Sequence, residues 1–172
     1  MDAQIPFIIG IDPGLSGGIA FYRPGELFTY VTPTNKVEFH KKGKLRKRKE
    51  MDLPGAIDIL TSHPANLAFI EHVTAMPTQG VTGMFRFGQN LGQWEGLLAW
   101  MDLEVVHVRP QKWKKFYGLS RVKQDSFDKA RELFPDNHDE FKRKTVDEGR
   151  VEAALIACYG NNSMKITSSI ST

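Results

Sequence analysis

The stretch Phe7-Ile8-Ile9-Gly10-Ile11-Asp12-Pro13-Gly14, continued by Leu15-Ser16-Gly17-Gly18-Ile19-Ala20, decides the fold. An apolar run ends in an acid, a glycine-rich turn follows at once, and a second apolar run leads away. This is the pattern of a β-hairpin with one aspartate at the mouth of a buried strand. A carboxylate in that place is costly to desolvate unless positive charge pairs with it. Asp12 therefore asks what else the chain brings to the same strand end.

Working outward, strand-like segments fall at 7–12, 18–22, 27–32, 67–71 and 104–108. The first three are separated only by turn residues and read as an antiparallel meander. Residues 36–50 read as a polar, basic insertion with neither helical nor strand periodicity. A short helix is expected over 53–61, opened by Pro54. A long one over 84–100 has Met84, Phe87, Leu91, Trp94, Leu98 and Met101 at spacings of three and four. Further helices are expected over 111–117, 123–134 and 148–159. A three-stranded meander, then helix, strand, helix, strand and helices, makes an α/β fold. Its sheet has five strands, three antiparallel and then two parallel, flanked by helices. That order is the ribonuclease H-like arrangement.

The 172 residues suit a single domain, here 1–160, with a polar tail over 161–172. No apolar stretch approaches the roughly 20 residues that span a bilayer. The first residues show no signal or transit peptide. These readings lead to the expectation of a cytoplasmic protein without a membrane partner. The single cysteine, Cys158, sits in an apolar helical run and reads as a buried, inert thiol. The net charge of +3 conceals an asymmetry. Residues 36–50 hold eight Lys/Arg against two Glu, and residues 109–123 hold six Lys/Arg and no acid. Two basic segments on an acidic body point to a polyanionic partner.

Asp12 ends the first strand and Glu71 the fourth. If those strands run parallel and adjacent, both carboxylates leave the same edge. Glu148 and Glu152, four apart on a helix, stack on one face and repel. Gly149, Ala153 and Ala154 between and beside them suit close packing of that helix on the sheet. Hard divalent cations relieve such clustering: Mg²⁺ or Mn²⁺ takes oxygen ligands, and a pair of ions about 3.5–4 Å apart activates water against a phosphodiester. Each acid also has a plainer reading. Asp12 can fix its own turn, Glu71 can be a solvated strand end, and Glu148 can complement the helix dipole. Asp147 reads as an N-cap.

These residues resemble the RuvC-type Holliday junction resolvases of phage and bacteria, over nearly the whole chain. The resemblance rests on Ile9-Gly10-Ile11-Asp12-Pro13-Gly14, Phe69-Ile70-Glu71 and Phe85-Arg86-Phe87-Gly88-Gln89-Asn90-Leu91-Gly92. It continues through Val108-Arg109-Pro110-Gln111-Lys112-Trp113-Lys114-Lys115 and the run from Asp147 to Ala157. It implies a ribonuclease H-like fold, a homodimer, no small-molecule cofactor and two Mg²⁺ per active site, with Mn²⁺ as a substitute. It also implies nicking of opposed strands of a four-way junction to leave 5′-phosphates. The implied metal ligands are Asp12, Glu71, Glu152 and one acid at the helix start. Cellular members often place the last two ligands three apart, but position 149 is glycine. Glu148 therefore takes that place, with Asp147 in reserve.

The resemblance further implies a basic residue near the scissile phosphate. Lys112, Lys114, Lys115 and Lys123 are the candidates, with Lys115 given the catalytic role. Trp113 beside them reads as a core anchor. Met76 and Phe85 are the nearest apolar candidates for a wedge at the junction centre. Arg86, Arg121 and the tract Lys41, Lys42, Lys44, Arg46, Lys47, Arg48 and Lys49 are expected to meet DNA phosphates. The long helix carries apolar residues around much of its circumference, which predicts a twofold interface. Two rival readings remain. A junction-binding module without cleavage keeps the same surface. An actin-like or sugar-kinase-type phosphotransferase shares the Asp12, Gly14, Ser16 spacing but needs a second domain.

Overall fold

A computed structural model describes residues 5–74 and 80–170, the last five of these by backbone alone. In chain order the elements are β1 (Phe7–Asp12), β2 (Gly18–Arg23), β3 (Glu26–Val31), β4 (Thr34–Lys41) and β5 (Lys44–Met51). Next come α1 (Leu53–Leu60), β6 (Ala65–Glu71), α2 (Val81–Trp100) and β7 (Glu104–Val108). They are followed by α3 (Pro110–Phe116), α4 (Lys123–Leu133), a 3₁₀ turn (Pro135–Phe141) and α5 (Glu148–Ile170). The main sheet has the order β3-β2-β1-β6-β7. β1 pairs antiparallel with β2 and parallel with β6, and β6 pairs parallel with β7. The expected five-stranded mixed sheet is therefore the one that forms.

Alternation along the strands builds two cores. Phe7, Ile9 and Ile11 of β1, with Ala68 and Ile70 of β6, pack under α1 and α2. Ile8, Leu67 and Phe69 pack on the other face, under α3, α4 and α5. Asp12 and Glu71 continue the second set, so both lie on the α5 side of the sheet. α1 starts as its sequence dictates. The Asp52 side chain accepts a hydrogen bond from the Gly55 amide, and proline occupies the first turn.

Glycine brings α5 against the sheet backbone to backbone. A Cβ at Gly10 would fall on the Ala153 carbonyl and the Ala157 amide nitrogen, and one at Gly149 on the backbone of Gly17. Gly17 and Gly149 form an isolated parallel bridge. Gly10, Gly18 and Gly149 thus form a track of missing side chains along which the helix lies.

Two segments differ from the sequence reading. Residues 36–50 are not an irregular insertion: β4 and β5 form a two-stranded antiparallel ribbon, paired from Thr34–Met51 to Lys41–Lys44. Its turn is Lys42-Gly43, with φ of 50° and 70°, the positive pair that a tight hairpin turn demands. Val37 and Phe39 supply the apolar alternation, but the surrounding charge hides it. The expected helix over 148–159 runs further, and α5 continues through the polar segment from 161 to Ile170. No glycine or proline lies between 161 and 170 to stop it. No described helix is long and apolar enough to cross a membrane.

Because Gly10 faces backbone, Gly10→Ala should cost about 1–3 kcal/mol by overpacking. Gly83→Ala meets open space in the first turn of α2 and should gain up to about 1 kcal/mol from helix propensity. Urea denaturation of the two variants checks the contrast; equal stabilities would reject the backbone contact.

Candidate active site

The carboxyl ends of β1 and β6 lie side by side, with Ile11 opposite Ile70 in parallel register. Asp12 and Glu71 follow directly. The first two turns of α5 bring Glu148 and Glu152 to the same place. Asp12 keeps some surface at the strand mouth, but the protein packed around it desolvates its carboxyl and pushes its pKa up to about 8. Glu152 and Glu71 add repulsion, the Gly14 amide partly offsets it, and Glu148 contributes last. The amide of Gly14 lies 3.4 Å from Asp12 Oδ1, so Asp12 holds its own turn as well as facing the other acids.

Glu71 is only 8% exposed. Burial and then Glu152 raise its pKa to about 7, against the hydrogen bond from Trp113 and the charge of Lys114. Trp113 Nε1 donates to Glu71 Oε1 at 3.0 Å. The indole is fully buried, so it is the core anchor the sequence suggests and also fixes the glutamate. A buried indole N–H needs an acceptor, and that requirement was the available signal for the pairing. Lys114 Nζ donates to Glu152 Oε1 at 2.9 Å, and Lys123 Nζ to Glu148 at 2.7 Å. The bond to Glu148 raises the Lys123 pKa despite some desolvation.

The acids thus share one field while each leans on its own partner: a proton, an indole or a lysine. Among the described residues, no three acidic, histidine or cysteine side chains are gathered tightly enough to enclose an ion as they stand. The donor chemistry nevertheless fits a hard divalent cation: carboxylate oxygens only, in excess of the positive charge beside them.

Two expectations shift. Asp147 does not join the group, because Arg143 and Arg150 claim it. The Arg143 amide donates to Asp147 Oδ2 at 2.7 Å and its guanidinium reaches Oδ1 at 3.1 Å; Arg150 bonds the same oxygen. Burial alone would raise this carboxyl, but the bonds from Arg150 and Arg143 hold it below the ordinary range. Lys115 is exposed on α3, one residue beyond the lysine that reaches the acids. A helix turns about 100° per residue, so adjacent lysines cannot share that face. Lys114 occupies the place intended for Lys115.

Lys112, Arg121 and Lys123 are also exposed, within the chain's second basic segment. Lys41, Lys42 and Lys44 form the ribbon tip; Arg46, Lys47, Arg48 and Lys49 line β5. Phe85 and Arg86 sit in the first turns of α2. Met76 lies outside the described residues. Gln89, Asn90 and Gln93, to which the sequence assigns no site role, line a cleft beside α2.

Solved structures share this fold, two RuvC structures among them. That of T. thermophilus RuvC in complex with Holliday junction substrate matches with a TM-score of 0.62 at 11% identity, covering 92% of this chain and 96% of that chain. A second Thermus thermophilus RuvC structure matches at 0.59 and 13% identity, covering 91% and 96%. No protein-family model matches the sequence, and no curated protein matches it either. The chain has a RuvC-like fold.

The raised carboxyls set a pH dependence. Their folded-state pKa values exceed the unfolded ones, so the folded state holds more protons between about pH 4 and 8. Their contribution is complete below the unfolded values and is lost as pH rises through the folded ones. In chelator, the melting temperature should fall from pH 5 to 8. Asp12→Asn should recover about 1 kcal/mol or more at pH 8, a rise of roughly 2–4 °C. A flat profile for the unsubstituted protein would contradict the crowding of these acids.

Proposed function

We propose that the chain is a structure-selective, divalent-metal-dependent endodeoxyribonuclease that resolves four-way DNA junctions and leaves 5′-phosphate ends. The meeting of Asp12, Glu71, Glu148 and Glu152 in one field at the end of two parallel strands carries the reading. The RuvC-like fold supports it.

Asp12, Glu71, Glu148 and Glu152 would hold Mg²⁺ or Mn²⁺, two ions in this reading, and bound there the metal supplies Lewis-acid activation of water and phosphodiester. The residues do the rest. Deep packing around Asp12 and Glu71 excludes bulk water and strengthens every charge in the site. Trp113 holds the Glu71 carboxylate in one orientation. Lys114 and Lys123 balance Glu152 and Glu148 in the free protein and turn to phosphate oxygens when DNA and metal arrive.

The β4–β5 ribbon supplies a second contact. Lys36 opposes Lys49 and Lys41 opposes Lys44 across its strands. Like charges directly opposite destabilise a sheet, and a lone hairpin is marginal in water. A phosphate backbone relieves this repulsion, and counterion release adds affinity. The ribbon therefore lies along one arm of the DNA.

A homodimer completes the enzyme. Val81, Phe85 and Trp100 are exposed, the last two by 75% and 69%. With Gly88, Gly92 and Gly96, which face open space, they form one face of α2. That face lies opposite the buried Asn90, Trp94 and Leu98. Glycines at intervals of four let a second helix approach closely while the aromatic residues cover its flanks. Sedimentation at micromolar concentration should show a dimer; a monomer alone would reject this part of the reading.

A labelled synthetic junction, with linear-duplex and flap controls, tests the activity. Nicking should require Mg²⁺, favour the junction, and vanish in Asp12→Asn while junction binding persists. Retained turnover in that variant would reject the role of Asp12. Alanine at Lys44, Arg46, Lys47 and Lys49 should flatten the slope of log affinity against log salt by roughly 0.9 per lost phosphate contact. An unchanged slope would remove the ribbon from the DNA.

A further inference from the structure

We infer that Arg143, aimed by the buried Asp147, holds a phosphodiester close along the strand to the one that meets the acids. The inference rests on the nuclease reading above. It extends that reading to a DNA-binding residue outside both basic segments of the sequence.

Asp147 is 1% exposed and carries one negative charge, yet two guanidinium groups meet it. Arg150 bonds Oδ1 from within α5, with a side chain 17% exposed. Glu140 lies 3.9 Å from the other end of the Arg150 fork, and Thr29 and Asn137 already donate to its oxygens. That inner set pairs Asp147 within the fold, as a buried carboxylate requires. Arg143 adds a second cation from outside, its side chain 64% exposed. A long side chain at the surface ordinarily keeps its rotamer freedom. Arg143 is instead fixed at both ends. Its amide donates to Asp147 Oδ2 at 2.7 Å, and its carbonyl accepts from the amides of Val146 and Asp147 at 3.1 and 2.8 Å. In the side chain, Nη2 lies 3.1 Å from Oδ1 and Nε 3.5 Å from Oδ2. Asp147 thus takes the Nε–Nη2 edge of the fork. Nη1 has no acceptor among the described residues, so the other edge stays open.

The open edge names its ligand. Two parallel N–H groups with a full charge match the two free oxygens of a phosphodiester. The carboxylate behind the guanidinium sets its direction before DNA arrives, which lowers the cost of ordering it on binding. The place of the contact follows from the chain. Glu148 comes directly after Asp147, and its carboxylate adds to the field at Asp12. A strand that presents one phosphodiester to the acids carries the next ones past the start of α5. A fixed cation there offsets the repulsion between carboxylates and phosphates. Lys142 and Lys144 flank Arg143 and are exposed, but neither is tied to a buried group: Lys142 pairs with the exposed Asp139 at 2.6 Å. The contact reads no base; it sets the register of the strand over the acids.

The test is ethylation interference with the whole protein. A four-way junction is ethylated sparsely on its phosphates with ethylnitrosourea and bound in EDTA, so that nothing is cut. Bound and free fractions are then compared phosphate by phosphate, and the nick is mapped separately with Mg²⁺. For the unsubstituted protein, ethylation should weaken binding at a phosphate within about three of the nick. In Arg143→Gln that phosphate alone should lose its effect. Junction affinity should fall by about tenfold, and the slope of log affinity against log salt by roughly 0.9. Lys142→Ala should keep the interference at that phosphate. If Arg143→Gln does not fold, Arg143→Lys decides, since it keeps a cation beside Asp147 without the fork; interference at that phosphate should drop by about half or more. An unchanged pattern in the folded variant, with junction binding and nicking intact, would overturn this inference alone. Weaker interference at every phosphate together with a lower melting temperature would make Arg143 a structural anchor and overturn it too. So would an equal local loss in Lys142→Ala, which makes the effect diffuse charge. Failure to prefer a junction over linear duplex would overturn the nuclease reading and this inference together.

Discussion

Everything at the acidic end of the sheet depends on how closely α5 lies on β1 and β2. Gly10, Gly18 and Gly149 remove the side chains that would otherwise separate helix from sheet by a full packing layer. Without that approach, Glu148 and Glu152 would stand several ångströms farther from Asp12. The same contact sets the helix rotation, since the bridge between Gly17 and Gly149 leaves Glu148 and Glu152 on the side toward the strand ends. Interior packing density makes such a seat unforgiving.

The approach concentrates negative charge in a place of low polarity. Asp12 and Glu71 hold protons at pH values where exposed carboxyls are ionised. Glu152 and Glu148 lean on Lys114 and Lys123. Folding tolerates this arrangement because the acids sit at the sheet edge, while two separate apolar cores form along the strands. The tension is local, as functional sites often are in otherwise consistent folds. By contrast, Asp147 has its charge fully answered by Arg143 and Arg150. It anchors the start of α5 and so helps to aim the helix it precedes.

The basic ribbon follows a similar logic with the sign reversed. Its strands place lysines opposite lysines, and only its base, at Met51, is buried. Arg48 lies over the Phe39 ring, 5.0 Å from its centroid, one of few cohesive contacts on the ribbon. An acidic pocket and a basic arm thus stand on one small body, each concentrating charge of one sign.

Local order dictated the main sheet. The apolar runs, the Pro13-Gly14 and Gly17-Gly18 turns and the three-and-four spacing of α2 are properties of neighbouring residues, so strands, helices and their order were legible along the chain. The four acids were legible as strand-end and helix-start residues for the same reason. Only the tertiary structure decided which partner each side chain meets. Lys114 rather than Lys115, and the claim of Arg143 and Arg150 on Asp147, depend on helix rotation and on contacts between distant segments. The ribbon over 34–51 was hidden because its few apolar positions are outnumbered by charges, and strand pairing there rests on a two-residue turn rather than on burial. Periodicity records which face of an element avoids water; it carries no record of what stands opposite that face, because that is settled when the elements pack.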